Sequence, residues 1–448
     1  MSASKNTQSA LNRRQLLKLI GLGSGVLTVG PFLSSCAVNP VTGRQQLMMM
    51  SESQEIDTDR QRAPYQFSED YGVLQDNSVN AYIGRVGNEL ATRSHRPQMP
   101  FSFRGVNAAY INAYAFPGGS IAVTRGMLVE LESEAELAAL LGHEIGHVCA
   151  RHSAQQASKG MIANLLMTGA SVATGVAGYG GATDLVQQLG GLGAGALLAS
   201  YSRDNEREAD ALGMEYMVRA GYDADGMVKL MEVLNRNQQR NPSAIELMFA
   251  THPMSNERLA TARQAVATTY QASRTGVVQR ERYLDNTAGL RRIKPAILAL
   301  QNGSTAMGKN QFPTAREQFT AALQTAPQDY TALVMMASCQ MALKDVTSAA
   351  QYARKATEVY PTEPKGHSLL AVSLINTKKY DQALQSLSEY DRLLPGNPQI
   401  IFYKGYCYEQ MDKKQEAATH YYNYLQKVSS GEQARHAYAR LQSWGYVR

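Results

Sequence analysis

The chain has 448 residues and a formal net charge of +6 at neutral pH. This length exceeds that of a typical single domain, so we expect at least two domains. Four of the positive charges lie within the first 35 residues; without them a net charge of +2 remains, and no basic stripe follows. This distribution argues against a nucleic-acid-binding protein.

Residues 1–35 are predicted to be an export signal, because a basic start and a modestly apolar stretch occur there without any acidic residue. Asn12 to Lys18 resembles a twin-arginine motif, but an Arg-Arg pair also occurs in Sec signals, so both export routes remain open. Leu33 to Cys36 resembles a bacterial lipobox, in which Cys36 becomes the acylated N-terminus. Ala37 follows instead of aspartate. The resemblance therefore implies a periplasmic lipoprotein anchored in the outer membrane through its lipid.

Residues 101–124 are predicted to form a small antiparallel sheet. Apolar and aromatic runs at Phe101–Arg104, Tyr110–Phe116 and Ser120–Thr124 are bounded by turn residues, and a Pro-Gly-Gly sequence separates the last two.

The next predicted element is a helix that starts after Ser133, its expected N-cap, and continues beyond His147. Its leucines form one apolar stripe, and it contains an H-E-x-x-H motif. His143 and His147 are four residues apart, so both imidazoles can bind one zinc ion. Glu144 can then take a proton from the attacking water. The alternative is a helix with two hydrogen-bonded surface histidines. If this helix continues, His152 lies on its opposite side, with a structural role or exposed.

Residues 153–200 are difficult to assign. No charge occurs between Lys159 and Asp184, and glycine and alanine dominate the segment. We expect a helical hairpin or a mobile lid at 160–199. Two membrane spans are the alternative, but the many glycines and the low leucine and isoleucine content argue against them.

A third zinc ligand is expected on the helix that begins after Ser202. A metzincin would have histidine at position 153, which is serine in this chain. Glu206 lies on the packed face of the helix and is the preferred ligand, whereas Glu208 falls on the solvated face. Asp210, one turn after Glu206, can accept the free ring N–H of a ligating histidine. The alternative is an ordinary acidic first turn favoured by the helix dipole. Three protein ligands predict one catalytic Zn²⁺ per chain.

Several segments between residues 40 and 265 resemble the HtpX, Oma and CAAX-prenyl-protease-related gluzincin family. They are His143–Val148, Glu206 with Asp210, Thr251–Pro253 with Arg258, Asn112–Gly119 and Val123–Gly126. The resemblance implies a mostly helical α+β domain with a small antiparallel sheet and zinc endopeptidase activity, and it places His252 and Arg258 near the metal. His252 could polarise the transition-state oxyanion, occupy the fourth metal position at rest, or only cap the loop before Pro253.

Asn112, Ala113, Tyr114 and Ala115 are the candidate substrate strand. An edge strand near zinc can bind a substrate backbone by strand addition, which tolerates many side chains. A purely structural sheet is the alternative.

The C-terminal third repeats every 34 residues, which is the tetratricopeptide period. Alanine, small residues and proline recur at that spacing, as in Ala315, Ala349, Ala383 and Ala417. We expect four helix pairs over about 296–431 and a capping helix with Trp444. Such an array forms a solenoid whose concave face binds a protein partner. Cys339 and Cys407 occupy equivalent positions two repeats apart, so we expect them, like Cys149, to be buried thiols.

The predicted organisation is a signal at 1–35, an α+β metalloprotease domain at 36–265, a connecting segment at 266–295 and an all-α repeat domain at 296–448. Within the family, the chain resembles the BepA-type periplasmic proteases with tetratricopeptide repeats. That resemblance implies cleavage of misfolded or misassembled envelope proteins, with outer-membrane assembly machinery as the repeat partner. The alternative is a repeat-based chaperone or assembly scaffold with minor, regulated proteolysis.

Overall fold

The computed structural model describes residues 36–48, 50–158 and 201–447. The predicted signal at 1–35 and the lid or membrane segment at 160–199 lie outside these residues. Within them, no helix has both the length and the apolar character needed to cross a membrane. The described chain divides into two compact units, 36–343 and 344–447. The predicted functional boundaries at 265 and 295 stay a prediction.

The first unit begins with an antiparallel pair of short strands, β1 (Cys36–Val38) and β2 (Gln45–Leu47). The elements that follow in it are α1 (Glu52–Glu69), α2 (Asn77–Ala91), β3 (Ser102–Val106), β4 (Ala113–Ala115), β5 (Ser120–Thr124), α3 (Arg125–Leu128), α4 (Glu134–Cys149), α5 (Arg203–Arg219), α6 (Asp225–Arg240), α7 (Pro242–Thr251), α8 (Asn256–Ala267), a 3-10 turn (Gln271–Thr275), α9 (Arg280–Asn286), α10 (Ala288–Arg292), α11 (Lys294–Gly308), α12 (Phe312–Thr325) and α13 (Tyr330–Ala342).

The sheet of β3, β4 and β5 has the order β3-β5-β4 and is mixed rather than antiparallel throughout. β4 and β5 form the expected antiparallel hairpin across the Pro-Gly-Gly turn, where Gly119 has a φ of +102°. β3 pairs in parallel with β5, with Arg104 opposite Ala122. The segment 107–112 carries the chain from β3 past β5, so β3 and β5 run in the same direction. β4 is therefore an edge strand in the described part of the sheet.

Helix α4 is buried along its entire length and packs closely against α5. Ser133 is its N-cap, as predicted, and accepts a hydrogen bond from the Glu136 backbone N–H at 3.3 Å. Small residues face each other across the two helices. A Cβ added at Gly142 would lie 2.9 Å from the carbonyl oxygen of Gly213, and one at Gly146 would lie 3.0 Å from that of Ala209. This close approach brings polar side chains from both helices within reach of each other.

The named elements of the second unit are all helices: α14 (Val346–Val359), α15 (Pro364–Asn376), α16 (Tyr380–Leu393), α17 (Pro398–Gln410), α18 (Lys414–Leu425) and α19 (Glu432–Ser443). Counted along the sequence, α11 to α18 make the four predicted helix pairs, and α19 follows with Trp444 as its C-cap. The fold class is thus confirmed. Cys149, Cys339 and Cys407 are buried, free thiols, as expected.

Candidate active site

Four buried side chains of the described residues converge on one point: His143 and His147 from α4, Glu206 from α5, and His252 at the end of α7. One ligand atom from each lies within 4.8 Å of all the others. The Nε2 atoms of His143 and His147 are 3.0 Å apart, and the Glu206 carboxylate lies 3.6 Å and 3.3 Å from them. Two imidazole nitrogens and a carboxylate form a donor set that suits zinc.

Burial holds the pKa of His147 well below its ordinary value, so its ring is neutral, which is the form that binds a metal. Burial alone would raise the pKa of Glu206. The charge of His252 and the hydrogen bonds of His147 and His252 instead lower it, so this carboxylate is ionised. His147 and Glu206 are therefore in the protonation states that metal binding requires.

Glu144 lies beside this cluster and is fully buried. Neither of its carboxylate oxygens has a hydrogen-bond partner among the described residues, and His252 Nε2 lies 3.9 Å from one of them. Burial raises the pKa of Glu144. An unpartnered buried carboxylate costs free energy, and such groups in native structures commonly have a functional reason. The position and raised pKa fit a general base.

The ring of His143 is fixed from behind by Asp210, whose carboxylate lies 3.0 Å from His143 Nδ1. Arg258 donates two hydrogen bonds to Asp210, at 2.6 Å and 2.7 Å, and a third to Glu206 at 2.7 Å. Burial opposes ionisation of Asp210, but the His143 hydrogen bond and the Arg258 charge lower its pKa. Ionised Asp210 accepts the Nδ1–H of His143, which leaves the Nε2 lone pair free for a metal.

The ring of His147 is supported by His152, which the sequence interpretation placed on the opposite side of the helix. That placement is wrong because α4 ends at Cys149 and Arg151 adopts a left-handed conformation, with φ at +59°. The chain therefore reverses, and His152 Nδ1 lies 2.9 Å from His147 Nδ1. Glu208, predicted to be solvated, is only partly exposed and lies 3.2 Å from His152 Nε2.

A metal-binding role of His147 would determine the tautomers of His147 and His152. If its Nε2 lone pair faces the metal, its Nδ1 carries the proton and donates to His152 Nδ1. His152 then carries its own proton on Nε2 and donates it to the Glu208 carboxylate. Each candidate ligand ring is thus linked to a carboxylate. His143 contacts Asp210 directly, and His147 is linked to Glu208 through His152.

Tyr201 is a site residue that sequence reasoning missed. Its ring stacks on His147, with centroids 3.9 Å apart and an interplanar angle of 22°. Its hydroxyl lies 3.0 Å from Ser153 Oγ, and its backbone N–H donates to the Thr251 carbonyl at 2.9 Å. Burial raises its pKa, so the phenol stays protonated. The sequence offers only a weak signal, since Tyr201 merely precedes the N-cap of α5.

His252 is held between two carboxylates. Its Nδ1 lies 3.2 Å from Glu206 and 3.4 Å from His143 Nε2, while its Nε2 faces Glu144. Burial alone would lower its pKa, but the charges of Glu206 and Glu144 raise it. The structure thus places His252 among the candidate metal donors and next to the candidate base.

The candidate substrate strand packs against α4 along the edge of the sheet. The Asn112 side chain is buried, and neither its nitrogen nor its oxygen has a partner among the described residues. Tyr114 points its hydroxyl into the core, where it donates to Asp70. Ala113 and Tyr114 are buried as whole residues, so Ala115 is the one candidate strand residue that is partly exposed in the described structure. Cys36 lies in β1, and its side chain is outside the described part of the structure.

Comparison with known proteins supports the same interpretation. Residues 77–266 match the model of peptidase family M48, and residues 306–372 match the tetratricopeptide repeat. A beta-barrel assembly-enhancing protease of Yersinia pestis is 32% identical over 201 residues, which is 43% of this chain and 40% of that protein. The metalloprotease YcaL of Escherichia coli (strain K12) is 30% identical over 168 residues, or 38% of this chain and 63% of that protein.

A mitochondrial metalloendopeptidase OMA1 of Arabidopsis thaliana is 29% identical over 219 residues, or 47% of this chain and 42% of that protein. The chain thus spans about two fifths of the length of most of the curated relatives it matches. All the clustered side chains of the candidate site fall inside the matched segment. Residues 77–266 therefore form a peptidase family M48 domain, which tetratricopeptide repeats follow in the chain.

Proposed function

We propose that the protein is a zinc-dependent endopeptidase. The observation that carries this proposal is the convergence of His143, His147 and Glu206 beside Glu144, a buried carboxylate without a hydrogen-bond partner among the described residues. Buried charges are normally paired, so this arrangement suits a bound cation and a reacting base better than a structural network. The metalloprotease names of the relatives support the same reaction class.

In this proposal His143, His147 and Glu206 hold one Zn²⁺, and Asp210, Arg258 and His152 fix the ligands. When bound, zinc lowers the pKa of water towards ~7 and polarises the scissile carbonyl. The Glu144 carboxylate takes the proton of the attacking water and passes it to the leaving amine nitrogen. The closed packing around Glu144 excludes bulk water, which keeps its basicity high.

We propose that His252 holds the enzyme inactive at rest. Its Nδ1 lies close enough to Glu206 and His143 to compete for the fourth metal position. It follows α7 on a segment separate from both zinc-binding helices, so it can move without unfolding them. Substrate or a partner then shifts the population towards the open state. The competing role is oxyanion stabilisation, in which one donor contributes about 10²–10³ in rate.

The two roles of His252 predict opposite results for His252→Ala. Release of an inhibitory ligand increases peptide hydrolysis and self-cleavage, whereas loss of an oxyanion donor lowers turnover. Steady-state kinetics at equal zinc content distinguish them. Wild-type kinetics would leave only the capping role before Pro253.

We further propose that β4 binds substrate backbone along its outer edge, opposite β5, and that the substrates are misfolded or misassembled envelope proteins. Backbone pairing accepts many sequences, which suits unfolded chains. Several relatives are named beta-barrel assembly-enhancing proteases, and residues 1–36 carry the export and lipobox pattern. We therefore propose a periplasmic protein, anchored to the outer membrane through Cys36, whose repeats bind a protein of the assembly machinery.

The central test compares zinc content and degradation of a reduced, unfolded protein for wild type, Glu144→Gln and Glu246→Gln. Glu246 is an exposed residue of α7 and serves as the matched control. We expect about one zinc in all three proteins and hydrolysis in all but Glu144→Gln. Wild-type hydrolysis by Glu144→Gln would remove Glu144 from the mechanism.

The anchor is tested separately by labelling cells with palmitate. Wild type should incorporate the label and sediment with outer membranes, and Cys36→Ser should not incorporate it. An unlabelled, soluble wild type would end the lipoprotein proposal. If Cys36→Ser incorporates no label but still sediments with membranes, the result would favour a membrane segment at 160–199.

The second candidate function is a chaperone or assembly scaffold, which the tetratricopeptide match favours because such repeats bind proteins. A rescue assay in cells lacking the protein compares Glu144→Gln with a chain truncated before Lys344. Folding of the truncated chain is checked by circular dichroism. Rescue by Glu144→Gln but not by the truncated chain would favour the scaffold.

A further inference from the structure

The segment between β3 and β4, residues 107–112, receives hydrogen bonds from two helices of the first repeats. Thr331 Oγ1, in α13, donates to the Asn107 carbonyl oxygen at 3.0 Å. Gln301 Nε2, in α11, donates to the Ala109 carbonyl oxygen at 2.8 Å. Both donor side chains are buried. These helices follow the M48 match by at least 28 residues and yet belong to the same compact unit as the sheet.

A buried ion pair reinforces this contact. Arg125, the first residue after β5, donates to both carboxylate oxygens of Asp329, and the bond from Nη2 measures 3.0 Å. The two side chains are 3% and 6% exposed. Asp329 is also the N-cap of α13 and accepts from the Ala332 backbone N–H at 2.8 Å. The pair therefore fixes the start of α13, which carries Thr331, against the end of β5.

Helix α3, which follows β5, is in direct contact with the 107–112 segment. A Cβ added at Gly126 would lie 2.0 Å from the Ala109 carbonyl oxygen and 2.4 Å from that of Tyr110. Other contacts to the segment come from the protease side, since Thr124 Oγ1 donates to the Tyr110 carbonyl and the Ala244 carbonyl accepts from the Ile111 N–H. The side-chain donors to Asn107 and Ala109 come from the repeat helices.

This segment leads straight into Asn112 and β4, so its position sets the position of the strand edge. A buried carbonyl that loses its donor costs free energy or must move to find another partner. Small displacements of a substrate-positioning element reduce catalysis strongly, because reacting atoms must be held near ~3 Å. The three repeat side chains Gln301, Asp329 and Thr331 are thus placed to control how β4 presents its backbone.

We propose that Gln301, Asp329 and Thr331 are positioning residues for the substrate strand, so that the first repeat helices are a working part of the peptidase site. The proposal rests on the proposed role of β4 in substrate binding. It assigns to these helices a role in the peptidase site, in addition to any role of the repeats in binding a partner protein.

The test compares Thr331→Val, which removes the hydroxyl and keeps the shape, with Thr331→Ser, which keeps the hydroxyl. Thr320→Val is the matched control, because the Thr320 hydroxyl bonds only to Arg316 within its own helix in the described structure. Hydrogen exchange of residues 107–115, zinc content, melting temperature and the KM and kcat for an unfolded protein are measured for the full chain. Gln301→Met is the second variant, in case Thr331→Val does not fold.

We expect Thr331→Val to raise the rate of hydrogen exchange at 107–115. We also expect it to raise the KM by about 5- to 30-fold, with zinc content unchanged. Thr331→Ser and Thr320→Val should behave as wild type. A lower melting temperature without any change in local exchange or KM would overturn the proposal, and so would equal effects of valine and serine at position 331. If wild type hydrolyses no protein, the proposed function fails, while the exchange comparison still decides whether the repeat side chains hold the strand.

Discussion

Two helix pairs of this protein use glycine at their contacts in different ways. In α4 and α5, glycine brings one backbone against another: a Cβ at Gly213 would lie 2.8 Å from the His143 backbone nitrogen. In α17 and α18, glycine instead makes room for a ring, since a Cβ at Gly405 would lie 2.8 Å from Tyr421 Cδ1. Backbone contact fixes the spacing of the helices, whereas contact with a ring involves a side chain of one helix.

The side chains around these contacts differ in the same sense. The α4 and α5 pair carries His143, Glu144, His147, Glu206 and Asp210, all buried. The α17 and α18 pair is held by Phe402, Tyr421 and Tyr424 in mutual contact, with ring centroids 5.5 Å and 5.3 Å apart from Phe402. The first pair depends on exact placement of polar atoms, and the second on apolar packing. We therefore expect substitutions in the first pair to remove function and those in the second to change stability.

The largest effect is expected for the metal ligands. His143→Ala or His147→Ala should lose the single zinc and all peptide hydrolysis, because two ligands cannot replace three. His367→Ala, in α15, is the control. Metal analysis by mass spectrometry checks the outcome, and full zinc retention in both variants would exclude the site.

The next largest effect is expected for His152 and Glu208, which support the ring of His147. His152→Leu should weaken zinc binding by about 10- to 100-fold, because the His147 ring loses the acceptor that fixes its tautomer. Glu208→Gln should have a smaller effect, since the amide oxygen can still accept from His152. Competition with a fluorescent chelator gives both affinities. Equal zinc affinity in His152→Leu and wild type would show that Tyr201 and helix packing orient His147 without it.

Much of this site was predictable from the sequence, because helical periodicity determines which residues share a face. The i, i+4 spacing of His143 and His147 and the packed face of α5 led to Glu206 rather than Glu208. The 34-residue period likewise predicted the helix pairs. These features depend on local geometry, which repeats from one protein to another.

The parts that could not be predicted depend on single backbone angles or on distant contacts. Arg151 is not a residue type that favours a left-handed conformation, yet its positive φ returns His152 to the site. The parallel pairing of β3 with β5 depends on the path of residues 107–112. The bond from Thr331 to Asn107 joins residues 224 positions apart. Sequence spacing carries no signal for such contacts.

A third prediction compares buried and exposed ion pairs of the two units. Asp329→Asn keeps the cap of α13 but removes the charge that Arg125 faces, and breaking a buried pair costs about 3–5 kcal/mol. Glu389→Gln breaks the exposed pair with Arg392, for which we expect no measurable change. Thermal unfolding at neutral pH checks both. A similar loss of thermal stability in the two variants would contradict the distinction between the buried pair and the exposed pair.

The same pair gives a pH dependence with a defined sign. Burial would raise the pKa of Asp329, but Arg125 and its own hydrogen bonds hold it below the ordinary value. Its stabilising effect is therefore fully present above the unfolded pKa of about 3.9 and is lost as the pH falls through the folded value. The difference in melting temperature between wild type and Asp329→Asn should stay constant from pH 7 to about 5 and shrink below about 4. A difference that grows on acidification would contradict the pairing.

The smallest effect tests the comparison of the two glycines directly. Alanine is favoured over glycine in a helix by up to about 1 kcal/mol, and overpacking costs about 1–3 kcal/mol. At Gly405 the added methyl group meets the ring of Tyr421, which is fully buried and donates a hydrogen bond to Glu409, so Gly405→Ala should lower the melting temperature modestly, with zinc content and hydrolysis unchanged. At Gly213 the obstacle is the backbone of His143 itself, so Gly213→Ala should push α4 and α5 apart and weaken zinc binding. If Gly213→Ala binds zinc as wild type does, then backbone contact between α4 and α5 does not set the ligand spacing.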